Sequence, residues 1–119
     1  MFYKVDPDGY RQMLPGVTLK TLTFGERTLL AEVRLEQGAS IPMHQHPQEQ
    51  TGYLVSGCLR FHMGEETIIA EPGDGWNLRG GVVHGAEALE DSVVIEAFSP
   101  IREDYLPQLG VVDPGKKSA

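Results

Sequence analysis

The sequence predicts an all-β domain, a sandwich or a barrel, and three observations carry that prediction. Turn residues recur about every eight to twelve positions. The segments between them are short and apolar, and the clearest of them alternates with period two. No segment before residue 100 carries a 3.6-residue apolar stripe, the mark of an amphipathic helix.

Residues 1–15 are polar and broken by Pro7, Gly9 and Pro15, so they read as an arm or edge segment. Val17 to Phe24 alternates and ends at Gly25-Glu26. In 28–36, Leu29, Ala31, Val33 and Leu35 share one face, while Glu32, Arg34 and Glu36 share the other. An apolar face backed by charge is a half-buried strand. Further strands are expected at 51–56, 59–63, 67–70, 76–78, 82–89 and 93–98. Gly57, Gly64-Glu65, Glu71-Pro72-Gly73-Asp74, Gly80-Gly81 and Glu90-Asp91 punctuate them. Residues 102–109 could hold a short helical turn. The organisation expected is an arm at 1–15, one barrel at 16–110 and a frayed tail at 111–119. In that tail Lys116-Lys117 reads as a solvated end.

A chain of 119 residues makes one domain with a real core. Apolar content of 40% and charged content of 23% are ordinary for a globular protein, and Gly 14 and Pro 8 suit many turns. The net charge of −7 argues against nucleic acid and anionic membranes as partners. It leaves room for a small anionic substrate in a locally positive pocket. Cys58 is the single cysteine, so an intrachain disulfide is excluded, and it reads as a small buried hydrophobe. The N-terminal residues lack the apolar core of a signal peptide, and no apolar run reaches membrane-spanning length. A cytoplasmic location is the default expectation.

The chemistry concentrates in 38–57. On a strand, His44 and His46 would put both imidazoles on one face, with Gln45 on the other. Two neutral imidazoles converging on one point chelate a borderline divalent metal. Pro47 breaks the strand, and a polar ligand at Glu49 or Gln50 would open the next one beside the pair. Further on, Gly80-Gly81 leads into Val82-Val83-His84. There a histidine beside an apolar pair is expected to face the interior as a further ligand.

The segment Gly38, His44, His46, Gly57 resembles the first motif of the cupins: Gly, five residues, His-x-His, three or four residues, Glu, six residues, Gly. The motif's glutamate falls on Gln50. Gly73, Gly81 and His84 resemble the second motif, with Arg79 in place of its proline and Ala88 in place of its later asparagine. The resemblance implies a single-domain double-stranded β-helix, or jelly-roll barrel. It also implies a metal held by His44, His46, Gln50 and His84, and a homodimer. The stretch His-x-His-Pro-x-Glu-Gln, with Phe98-Ser99-Pro100-Ile101-Arg102-Glu103-Asp104-Tyr105-Leu106 downstream, resembles the KdgF pectin-degradation cupins. In that family a glutamine stands at the glutamate position. The resemblance implies conversion of unsaturated uronate sugars to linear keto forms.

Three neutral imidazoles and a neutral amide leave the metal's double charge uncompensated, which favours an anionic ligand, such as a sugar acid. The ion itself stays open among nickel, zinc, iron, manganese and cobalt. Arg102 reads as a bidentate clamp for a substrate carboxylate or as a surface ion pair with Glu103 or Asp104. Glu96 interrupts the apolar run 93–98, pointing outward or facing the interior with a raised pKa. The resemblance implies a catalytic acid there, six residues before the signature arginine, although the family carries aspartate. Tyr53, Phe61, Trp76 and Phe98 are candidates for the substrate pocket or for plain core. Glu49 is expected to point away from the metal, and His62 to face solvent. Two other readings compete: an iron-dependent dioxygenase, and a non-catalytic sugar- or metabolite-binding module.

Overall fold

A computed structural model describes residues 1–106, so the tail expected at 111–119 lies outside the described residues. Strand β1 (Arg11–Leu14) pairs with β2 (Val17–Phe24) across the Pro15-Gly16 turn, where Gly16 adopts a φ of 75°. Proline presets one turn position and glycine supplies the left-handed one. The segment expected as an arm therefore ends in an edge strand, preceded by mostly exposed residues 1–10.

The remaining strands are β3 (Leu29–Leu35), β4 (Ser40–His44), β5 (Glu49–Ser56), β6 (Leu59–Met63), β7 (Glu66–Ala70), β8 (Gly75–Leu78), β9 (His84–Ala88) and β10 (Ser92–Ser99). A single 3₁₀ turn, Glu103–Tyr105, occupies the start of the segment expected to be helical. The rest of that segment, from 107 on, lies outside the described residues.

Among the described residues every strand pair is antiparallel. One sheet has the order β1-β2-β3-β10-β5-β8, and the other has β4-β9-β6-β7. This is the two-sheet architecture of a jelly roll.

Period-two patterning decides which residues enter the space between the sheets. In β3, Leu29, Ala31, Val33 and Leu35 are buried, while Arg34 is exposed. In β5, Gln50, Gly52 and Leu54 are buried between exposed Glu49, Thr51, Tyr53 and Val55. In β10, Val94 and Phe98 are buried, so Glu96 between them shares their inner face. Leu29, Leu54, Leu78 and Phe98 are the largest fully buried side chains. Each contributes about 1.5–3 kcal/mol of hydrophobic stabilisation.

Candidate metal centre and the cavity around it

His44 closes β4 and pairs in register with His84, the first residue of β9. That pairing brings the two imidazoles to 4.3 Å between ring centroids. His46 lies beyond the end of β4, so strand alternation is not what turns it toward His44. The connection does so. The Gly81 N–H donates to the His46 carbonyl at 2.8 Å. Gly80 lets the two loops touch, because a Cβ there would lie 2.2 Å from the Pro47 carbonyl oxygen. With that clamp, the His46 ring stands 4.9 Å from His84 and 5.7 Å from His44. One ligand nitrogen from each histidine falls within 4.8 Å of the others. From the facing sheet, β5 adds Gln50, only 4% exposed, whose Oε1 lies 2.9 Å from His46 Nε2.

The outer ring nitrogens are all tied to backbone. Nδ1 of His44 faces the Pro42 carbonyl at 2.9 Å, Nδ1 of His46 faces Gln48 at 3.0 Å, and Nδ1 of His84 faces Val82 at 2.8 Å. A carbonyl only accepts, so these contacts put the proton on Nδ1 and leave Nε2 with a lone pair. Metal-ligating histidines are oriented in this way.

Two observations test whether the residues fit a cation. His84 is 3% exposed, and its Nε2 is buried with no hydrogen-bond partner among the described residues. A buried nitrogen left unpaired costs about 1–3 kcal/mol. His46 presents a second problem. A neutral ring has one N–H, yet both its nitrogens face an oxygen. One of those contacts therefore sets two acceptors against each other. A divalent ion accepting the His46 Nε2, His84 Nε2 and Gln50 Oε1 lone pairs resolves both defects, so the donor set fits a metal.

Burial, together with the positive charge of Arg102, holds the His46 pKa below its ordinary value. Burial lowers His84 to about 4. Both rings therefore stay neutral near pH 7, the form that ligates metal.

The centre opens on a cavity of about 310 Å³ between the sheets. His44, Gln50, His84, Glu96 and Arg102 are its polar wall, and Leu19, Val33, Leu59 and Val94 are part of its apolar one. Glu96 Oε2 accepts from Gln50 Nε2 at 2.5 Å. Burial raises the Glu96 carboxyl to about 7, against the opposing pull of the Gln50 hydrogen bond and the Arg102 charge. A carboxyl that titrates near neutrality can both give and take a proton.

Arg102 lines the same cavity with its side chain 13% exposed. It also makes the ion pair that the sequence offered as the alternative. Its Nε and Nη2 donate to the two Asp104 carboxylate oxygens at 3.2 and 2.8 Å. The guanidinium lies 4.1 Å from the Tyr105 ring centroid and 5.3 Å from that of Phe98. Thr21 donates its hydroxyl to the Tyr105 carbonyl, and Arg11 donates to the Asp104 carbonyl at 2.8 Å. The turn carrying Arg102 is thus pinned to β1 and β2. Sequence reasoning named Asp104 as a possible partner of Arg102 but did not single out Tyr105, although adjacency was a usable signal.

The four aromatic candidates divide. Phe61, Trp76 and Phe98 line the cavity, with Phe61 and Trp76 packed edge to face at 4.7 Å. Tyr53 does not join them. It is 51% exposed, because alternation along β5 sends it outward when Gln50 and Leu54 point in. Glu49 also points outward and accepts from Asn77 at 2.9 Å. His62 lies on the outer face as expected, half-buried, against Glu87 and Thr67.

The family model described as Cupin domain matches residues 31–98, more than half of the chain. The chain belongs to the cupin family. This cupin is 28% identical over 103 residues to the pectin degradation protein KdgF of Dickeya dadantii, a match spanning 85% of this chain and 94% of that protein. Its fold superposes on the structure of KdgF from Halomonas sp. with a TM-score of 0.84 and 33% identity, over 89% of this chain and 100% of the other. An RmlC-like cupin from Shewanella frigidimarina gives the same TM-score at 22% identity, over 89% of this chain and 96% of its own, and shows the shared fold alone. Among the described residues, no helix of this cupin is long and apolar enough to cross a membrane.

Proposed function

We propose that this cupin converts unsaturated uronate sugars to linear keto acids by ring opening and tautomerisation, with a divalent metal held by His44, His46, Gln50 and His84. The observation that carries the reading is Glu96, a carboxyl on the inner cavity wall, in contact with a metal ligand and poised near neutrality. Likeness to two KdgF proteins supports the substrate class.

When bound, the metal supplies a Lewis acid that polarises a substrate oxygen. The chain's residues account for the rest. Arg102 binds the substrate carboxylate with the guanidinium edge that Asp104 leaves free, and Tyr105 and Phe98 hold the guanidinium in place. In the substrate the ring oxygen is attached to an alkene carbon. Breaking the bond between the hemiacetal carbon and the ring oxygen, as the hemiacetal hydroxyl loses its proton and the ring oxygen takes one up, leaves an aldehyde at one end and an enol at the other. Glu96 then delivers a proton to the far alkene carbon, and the enol hydroxyl gives one up as the ketone forms. No atom is gained or lost, so the reaction is an isomerisation that needs no co-reactant. The apolar wall keeps water away and strengthens each electrostatic contact.

The test follows the enol absorbance of unsaturated galacturonate with metal-loaded protein. The expected result is accelerated loss, slowed about 10²–10⁴-fold by Glu96→Gln. An unchanged rate in that variant sinks the role of Glu96. Binding of sugar acids without turnover leaves a non-catalytic sugar-binding cupin.

A further inference from the structure

Gln50 is held at both ends of its amide, and the two ends are not equivalent. Its Oε1 faces, at 2.9 Å, the Nε2 of His46, one of the three clustered imidazoles. Its Nε2 meets Glu96 Oε2 at 2.5 Å. An amide nitrogen only donates, and the ionised Glu96 carboxylate only accepts. Turning the amide over would set Oε1 against the Glu96 oxygen and aim N–H groups, which cannot ligate, at the metal position. At 4% exposure, water is a poor substitute partner for either end. The backbone holds both partners in place: β5 and β10 are hydrogen-bonded neighbours, with Gln50 opposite Phe98 and Gly52 opposite Glu96.

We propose that Glu96 is a positioning residue for the metal ligand Gln50, locking the amide with its oxygen toward the three imidazoles. The inference rests on the metal-binding part of the reading above. It adds a second task for Glu96, separable from proton transfer. A glutamate ligand would need no such lock, since either of its oxygens can ligate. A glutamine ligand does, and the chain provides it on the neighbouring strand. Partners of this kind are worth about 10- to 100-fold in metal affinity.

The experiment measures Zn²⁺ affinity by competition with a chromophoric chelator and records the Co²⁺ absorption spectrum, alongside the melting temperature of the metal-free protein. Glu96→Gln keeps an oxygen that accepts from Gln50, so its affinity stays within about threefold of wild type while turnover is lost. Glu96→Leu removes the acceptor, so affinity falls about tenfold or more and the Co²⁺ spectrum changes. Adding Gln50→Glu to Glu96→Leu restores affinity, because a carboxylate ligates in either orientation. Should Glu96→Leu fold poorly, Glu96→Ala replaces it with the same expectation. Wild-type affinity in a folded Glu96→Leu or Glu96→Ala overturns the proposal, as does failure of the double variant to recover affinity. If these metal results hold and the uronate assay fails, only the enzymatic reading falls. If the wild-type protein binds neither ion, the centre and the proposal fall together.

Discussion

Replacing His84 with leucine should make the metal-free protein more stable and the metal-treated protein no more stable than that. His84 Nε2 is buried without a partner among the described residues, and its removal recovers about 1–3 kcal/mol. The substitution also loses the Nδ1–H bond to the Val82 carbonyl, worth about 0.5–1.5 kcal/mol. Leucine fills similar space and adds apolar surface beside Phe61 and Ala86, which lie on the same wall. The net gain is about 1 kcal/mol, or about 4 °C or more in the melting temperature of a domain this size. Zinc acts in the opposite sense. At a hundredfold excess over its dissociation constant it should add about 2.7 kcal/mol to wild type. It should add little to the variant, which has lost one of the four proposed ligands. Thermal melts by circular dichroism, with chelator and with Zn²⁺, measure both halves. A metal-free variant that melts below wild type, or a Zn²⁺ increment equal in the two proteins, refutes the reasoning.

Three further outcomes follow from the same geometry. Gly52→Ala would place a Cβ 2.1 Å from Trp76 Nε1 and 2.3 Å from its Cε2, so chemical denaturation should show a loss of about 1–3 kcal/mol. Arg102→Lys keeps the charge but loses the planar fork that meets Asp104 and stacks on Tyr105. Steady-state kinetics should show KM for the uronate raised about tenfold, with Zn²⁺ affinity unchanged. Tyr53→Ser alters the outer face of β5, so kcat/KM should match wild type.

Much of the fold was legible because its signals are local. The strand from Leu29 to Leu35 announces itself by alternation alone, and Gly64-Glu65 marks the β6–β7 turn with no tertiary information. β1 was harder. Four mixed residues beside Pro15 carry no period, and their pairing with β2 depends on a turn whose outcome is set by the partner strand. Strand alternation placed Gln50 and Glu49 on opposite faces, as the structure does. The same rule, applied to His44 and His46, reached the convergence by the wrong route, because β4 ends at His44. A loop contact through Gly80 aims His46, and contacts between distant loops leave no periodic trace. Glu96 could be placed on a strand but not on a face, since every neighbour from Val93 to Phe98 is apolar. Burial of Val94 and Phe98 settles its direction only once the sheets are packed. Tyr53 was misjudged for the converse reason. A tyrosine beside Leu54 reads as core until alternation from Gln50 is enforced.

The central proposal is a metal centre that acts on a uronate beside Glu96. The most direct measurement takes one purified sample, determines its divalent metal content, and follows the enol absorbance of unsaturated galacturonate with it. About one divalent ion per chain and accelerated loss of absorbance are expected. That acceleration should disappear with chelator and return with added metal. Metal-loaded protein that leaves the absorbance decaying at the rate of buffer alone would contradict that proposal.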